Sequence, residues 1–214
     1  MITFHIITLF PESFSYLKHS IIKRAITKKK INVRLYQLRD FTHDSRKTVD
    51  DKPYGGGPGM VLKALPIVRA VKAIIKNKKQ LKVIGLSAVG KQFTNMYAHS
   101  LARRYKHLVL IAGRYEGIDE RVFQILKAEK VSVGPYIVTG GELPAMIMVD
   151  AITRQVKGVL GKHESLEESR VASSKVYTRP EIITDRGKTY RVPTVLLSGH
   201  HERVEGWRKK QHRQ

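Results

Sequence analysis

Along the first 150 residues, short apolar runs that suit strands alternate with stretches whose apolar positions recur every three to four residues, as on one face of a helix. Regular alternation of this kind predicts an α/β fold with a mostly parallel sheet. Residues 4–10 form the first predicted strand, closed by Pro11, and the helix after it puts Phe14, Leu17, Ile21, Ile22 and Ala25 on its apolar face. Further strands are expected at 33–38, 81–86, 107–112 and 131–133, with helices at 65–75 and 93–101. Asp119 is placed to cap a helix carrying Val122, Phe123, Ile125 and Leu126. The run Gly140-Gly141-Glu142-Leu143-Pro144 has the chemistry of a helix start, with flexible glycines followed by an acid and a proline in the first turn. That helix should continue to about residue 153 or 154.

The pattern weakens from residue 158. Residues 161–176 are rich in Ser and Glu and read as a linker between a first domain, 1–160, and a C-terminal segment, 177–214. The segment offers one strand-like run, 192–197, and a basic tail. It is too short for a core of its own and is expected to dock on the first domain or on a second subunit.

Composition narrows the chemistry. The absence of cysteine excludes disulfides, zinc ribbons, iron–sulfur sites and a thiol nucleophile. A hydrophobic fraction of 42% is enough for a core, while the first apolar run lacks a basic leader and is far too short to span a bilayer, so a cytoplasmic protein without membrane insertion is expected. The net charge of +22 attracts polyanions, nucleic acid being the commonest, although a generally basic proteome gives the same signal. The excess is uneven: residues 1–106 carry +17, 107–160 carry none and 161–214 carry +5.

Neither a Walker loop nor a dinucleotide fingerprint occurs. Three glycine-bearing clusters stand out instead. In the first, 54–60, five of seven residues are Gly or Pro, which lets backbone amides approach a ligand. It is preceded by Asp50 and Asp51, which suit a turn cap or the orientation of a substrate amine. The second, 113–121, follows a strand, where ligands of open α/β sheets are bound. The third, 134–146, ends in paired glycines at a helix start, whose N–H groups face any bound group. On that helix Asp150 and Arg154 share a face, and Arg154 ends an otherwise apolar element. His200-His201-Glu202 has no third ligand at metal spacing, so no metal is assigned. The tail 207–213 joins one Trp to four cations and suits phosphate contact, as it would suit a solvated terminus.

Together the runs Asp50-Asp51-Lys52-Pro53-Tyr54-Gly55-Gly56-Gly57-Pro58-Gly59-Met60, 113–121 and 139–146 closely resemble the bacterial tRNA (guanine-37-N1)-methyltransferase family. The likeness continues through Gly158-Val159-Leu160-Gly161, Tyr177-Thr178-Arg179-Pro180-Glu181 and 195–201. It implies a trefoil-knotted α/β methyltransferase fold, threaded between about residues 81 and 149, and a homodimer with a shared active site. It implies S-adenosylmethionine held by Leu86, Ser87 and Gly90, by Gly113, Tyr115, Glu116 and Gly117, and by Val133, Gly134, Tyr136, Val138, Gly140, Gly141 and Pro144. Substrate tRNA would meet Asp50, Gly59, Met60, Ser165, Ser198, His201 and Arg208, and the target would be N1 of the guanine 3′ to the anticodon.

The chemistry suits these residue types. Guanine N1 must lose a proton as it attacks the sulfonium methyl, which calls for a carboxylate base. Charge then builds toward O6 and calls for a cation. By resemblance Arg154 is that cation, and Glu168, in Glu167-Glu168-Ser169 where the family has an acid-Asp-Ser run, is the base, with Glu167 the neighbouring alternative. Mg²⁺ is also implied, without a dedicated carboxylate cage in the sequence. Four departures from the family pattern are Pro135 for an Asp, Ala88-Val89 for Pro-Gln, a shorter linker, and an end soon after Trp207 where the family continues with helices that grip tRNA. They leave open a related methyltransferase with another RNA target, or a catalytically impaired RNA-binding homologue.

Overall fold

The computed structural model describes residues 1–76, 78–160 and 175–211, in two compact units divided between residues 160 and 161. The first unit is built on five parallel strands: β1 (Ile2–Thr8), β2 (Ile31–Gln37), β5 (Leu81–Gln92), β6 (His107–Ile111) and β7 (Glu129–Ser132), in the spatial order β2-β1-β6-β5-β7. A small antiparallel pair, β3 (Asp50–Asp51) and β4 (Val61–Leu62), lies apart from it in the pairing. The helices are α1 (Ser20–Thr27), α2 (Ala64–Ile75), α3 (Asn95–Arg104), α4 (Arg121–Leu126) and α5 (Glu142–Arg154), with 3-10 turns at Pro11–Lys18 and Leu38–Phe41. The α/β class and the mostly parallel sheet agree with the sequence pattern.

All seven residues of β1 are buried because the strand faces two cores. Phe4 and Ile6 join Leu108, Leu110, Met148, Val149 and Ile152 on one side, and Ile7 joins Val109, Ile111, Ile67 and Val71 on the other. Some predicted details differ. Because α1 begins only at Ser20, Ile22 and Ala25 take its inner face and Ile21 turns outward. Phe93 stays extended, and Thr94 Oγ1 caps α3 by accepting from the backbone N–H of Tyr97 at 3.2 Å. Glu120 holds the N-cap position of α4, while Asp119 accepts from the backbone N–H of Arg121 (3.0 Å) and grips its guanidinium; Ile125 is exposed.

The second unit departs further from expectation. Residues 192–197 are not a strand: Pro193 sets up the short helix α6 (Thr194–Leu197), followed by α7 (His201–Gln211). The strands of this unit are instead β8 (Ile182–Asp185) and β9 (Lys188–Arg191), an antiparallel hairpin turning on Arg186 and Gly187, whose φ angles of 46° and 74° suit a tight two-residue turn. No described residue of this unit is fully buried. No described helix is long and apolar enough to cross a membrane.

Candidate cofactor and RNA site

Three chain passages at the carboxyl ends of β5, β6 and β7 build one cavity, where ligands of open parallel sheets sit. In β5, Leu86 and Lys91 both pair with Val131, so residues 87–90 are extruded as a loop while the strand resumes beyond them. Gly90 is needed there because its α-carbon backs directly onto the Lys130–Val131 peptide. The loop after β6 is pinned by backbone bonds to the end of the first glycine cluster and to β4: Glu116 N donates to Met60 O (3.0 Å) and Leu62 N to Gly117 O (2.9 Å). The passage after β7 crosses back to it, with Gly141 N donating to Gly113 O at 2.7 Å. A Cβ on Gly141 would stand 2.6 Å from Gly113 N, so only glycine allows this approach.

The cavity has a volume of about 550 Å³ and opens to solvent. Leu86 and Ser87 line it from β5, Gly113, Tyr115, Glu116 and Gly117 from the next loop, and Val133, Tyr136, Val138, Gly140 and Gly141 from the third; Pro144 closes it from α5. Gly90 and Gly134 are not in the lining. Sequence reasoning did not assign the lining residues Arg114, Phe123 and Lys130, although Arg114 lies inside the second cluster. Lys130 pairs with Glu120 and lies 4.7 Å over the ring of Phe123.

Behind the cavity lies a buried polar knot. Glu142, 3% exposed, accepts from Thr8 Oγ1 at 2.8 Å, and its other oxygen lies 2.9 Å from Arg114 Nε. That second contact has ion-pair distance without aligned hydrogen-bond geometry. Arg114 also donates from Nη1 to Thr139 O (3.4 Å) and lies 4.6 Å over Phe10. A carboxylate in the first turn of α5 is favoured by the helix dipole as well.

The remaining candidates divide. Asp50 pairs with Leu62 in the β3–β4 ladder, Gly59 abuts the Glu116 side chain, and Met60 is tied to the same residue, so all three border the Glu116 loop. Gly55, Gly56 and Gly57, by contrast, are open turn positions with positive φ. Arg154 is half-buried at the far end of α5, about 15 Å along the helix from Pro144 at 1.5 Å per residue. It does not line the cavity of its own chain. In the second unit, Ser198 Oγ donates to Val195 O (2.8 Å), and His201 and Arg208, seven apart, share a face of α7. Ser165, Glu167 and Glu168 lie outside the described residues. Among the described residues no group of three or more His, Asp or Glu gathers to hold a metal.

The sheet and cavity thus define an α/β protein with a small-molecule pocket at its strand ends, as in a methyltransferase. The family model described as tRNA (Guanine-1)-methyltransferase TrmD matches residues 2–214, and the chain belongs to that family. A tRNA (guanine-N(1)-)-methyltransferase of Dictyoglomus turgidum is 45% identical over 99% of this chain and 85% of its own length. Those of Caldanaerobacter subterraneus and Pseudoalteromonas atlantica are 46% and 44% identical, covering 96% and 97% of this chain and 85% and 79% of theirs.

Proposed function

We propose that this protein transfers a methyl group from S-adenosylmethionine to N1 of guanine 37 in tRNA, next to the anticodon. The observation that carries this reading is the cavity, two of whose three passages, those after β6 and β7, contain the runs 113–121 and 139–146 that match the family wording. Its size suits a nucleoside-sized ligand, with apolar walls at Leu86, Val133 and Pro144 and backbone polar groups at Gly113, Gly140 and Gly141. When bound, S-adenosylmethionine supplies an electrophilic methyl on sulfonium. Tyr115 and Tyr136 flank the space.

The chain's own acid–base chemistry lies elsewhere. Arg154 stabilises the charge that develops on guanine O6, and Glu168 takes the N1 proton. The distance of Arg154 from its own cavity supports a homodimer whose site is shared, a second copy bringing its Arg154 to the first copy's cofactor. Leu143 and Ile147, exposed on the outer face of α5 that ends in Arg154, supply an apolar contact surface for that copy. The crossing of the Gly141 passage over Gly113 is consistent with the trefoil thread between about residues 81 and 149. Residues 1–160 are then the catalytic domain, 161–176 the linker carrying the base, and 177–214 a tRNA-binding segment. The tRNA substrate implies a cytoplasmic protein. No cage for Mg²⁺ is assigned.

Labelled S-adenosylmethionine with tRNA transcripts bearing G or A at position 37 tests the reading. Label is expected with G alone; label in neither refutes methyl transfer, and label in both refutes the base specificity. Arg154→Ala should abolish transfer while cofactor affinity survives.

A further inference from the structure

At the edge of the sheet opposite the cavity, the turns that lead into three of the strands share a composition. Residues 28–30, ahead of β2, are all lysine; 76–80, ahead of β5, hold three lysines; 103–107, leading into β6, hold two arginines, a lysine and His107. These nine cations are accompanied by no carboxylate. The strand register sets the turns side by side: Ile2 N donates to Lys30 O (3.3 Å), Thr3 N to Lys106 O (2.8 Å), and the backbone N–H of Lys106 and of His107 both donate to Gln80 O (2.8 and 3.1 Å). From β2 to β5 is three strand spacings, about 14 Å. None of the nine cations forms an ion pair among the described residues.

The positive field here leaves a mark on the groups beneath it. His5, 1% exposed, is bonded to Tyr36 Oη (3.0 Å) and to His107 (3.2 Å). Burial first, then the charges of His107, Lys78 and Arg34, lower its pKa from 6.5 to about 4. His107 is lowered as well, by burial and by Lys78, Arg34 and Lys106. Helix α5 also ends toward this edge, since Gly158 lies beside Lys30, with Nζ 3.3 Å from the position a Cβ would take. Arg154 therefore stands at the basic edge of the domain, and the cofactor cavity at the other.

We propose that the three lysine- and arginine-rich turns form a docking surface for the phosphodiester backbone of the RNA substrate, on the side of the domain where α5 ends in Arg154. This rests on the reading of RNA as substrate. Unpaired cations this close repel one another within a Debye length of about 8 Å, and a polyanion relieves that repulsion. A single phosphate ion cannot span 14 Å, whereas a nucleic acid strand places a phosphate about every 3.4 Å of rise. The turns carry no large aliphatic side chain to insert into a bilayer, so RNA fits them better than a membrane. Contacts of this kind hold and orient the substrate without reading its bases.

The test uses the full chain carrying Lys28→Glu, Lys79→Glu and Lys106→Glu together, against an equal charge change at exposed positions elsewhere, Lys18→Glu, Arg46→Glu and Lys47→Glu. At fixed moderate salt the first set should weaken binding of a tRNA transcript at least about tenfold more than the second, and lower the slope of log K against log salt by about 2 to 3. Affinity for S-adenosylmethionine and the melting temperature should stay as in the unaltered protein, and the corresponding Lys→Gln set should weaken tRNA binding in the same direction by less. Equal losses in both sets, or an unchanged slope, would overturn the proposal, as would a loss of tRNA binding that always accompanies loss of cofactor binding. Capture of the unaltered protein by phosphatidylserine vesicles, lost in the first set while tRNA binding is kept, would assign the surface to membranes and overturn it too. An unaltered protein that binds tRNA with the full salt slope but methylates none refutes the reaction and leaves the surface standing.

Discussion

At the carboxyl ends of its strands the domain makes a site mostly from backbone, and at their amino ends it presents long charged side chains. At the first end Gly90 and Gly141 leave no room for a Cβ where chain passages touch, and one buried carboxylate ties the site to the first strand. The second end carries its charge on turns whose lysines and arginines are mostly exposed, with His107 and Tyr105 turned in toward the core. A rigid cavity suits a small ligand whose reacting atom must be fixed to a fraction of an ångström. A loose array of cations suits a long polyanion that binds through the sum of many weak contacts.

The contrast predicts unequal responses to mutation. The largest effect is expected for Glu142→Ala, which strips Arg114 of its carboxylate and Thr8 of its acceptor. Breaking a buried pair costs about 3–5 kcal/mol, and the partial exposure of Arg114 places the loss near the lower bound. Urea unfolding would check this, and a loss below about 1 kcal/mol would remove the carboxylate from its structural role. Gly141→Ala comes next, at about 1–3 kcal/mol for overpacking, with at least a tenfold loss of S-adenosylmethionine affinity by calorimetry. An unchanged affinity would mean that the Gly113–Gly141 contact does not shape the cavity.

The smallest effect belongs to the basic edge and depends on pH. The pKa of His5 is lowered on folding, so between about pH 6.5 and 4 the unfolded chain binds the extra proton. Stability is therefore full above that window and falls as pH drops through it, by about 1–2 kcal/mol after allowance for solvent. His5→Gln should flatten this part of the stability profile; an equally steep profile would place the acid sensitivity in other groups.

Much of this was legible in the sequence because it depends on local pattern. The run that became β1 carries Ile2, Phe4, Ile6 and Ile7 on faces that are both covered, interrupted by the buried polar Thr3, His5 and Thr8, and α5 announced itself through Gly-Gly-Glu-Leu-Pro. The hairpin of β8 and β9 was not legible, as its strands are short and exposed, with polar residues following Ile182 and Ile183, and its turn lacks the usual Asn-Gly. The apolar run at 192–197 looked like a strand, but its Pro193 starts a helix. Within the site, twelve of the fourteen residues that the family resemblance assigned to the cofactor line the cavity. The link of Arg114 to Glu142 and Thr8 depends on residues 28 to 134 positions apart, and no local pattern encodes it.

That last link also sets an order of events during synthesis. Thr8 leaves the ribosome 134 residues before the carboxylate it bonds. At about 5–20 residues per second the interval is roughly 7–27 s. Throughout the first part of it β1, which ends up in the interior of the sheet between β2 and β6, has only β2 as a possible neighbour. Its apolar residues must wait for β6 and then for α5 before both faces are covered. The nascent chain therefore carries β1 only partly covered until α5 arrives, and its first strand is among the last to be secured.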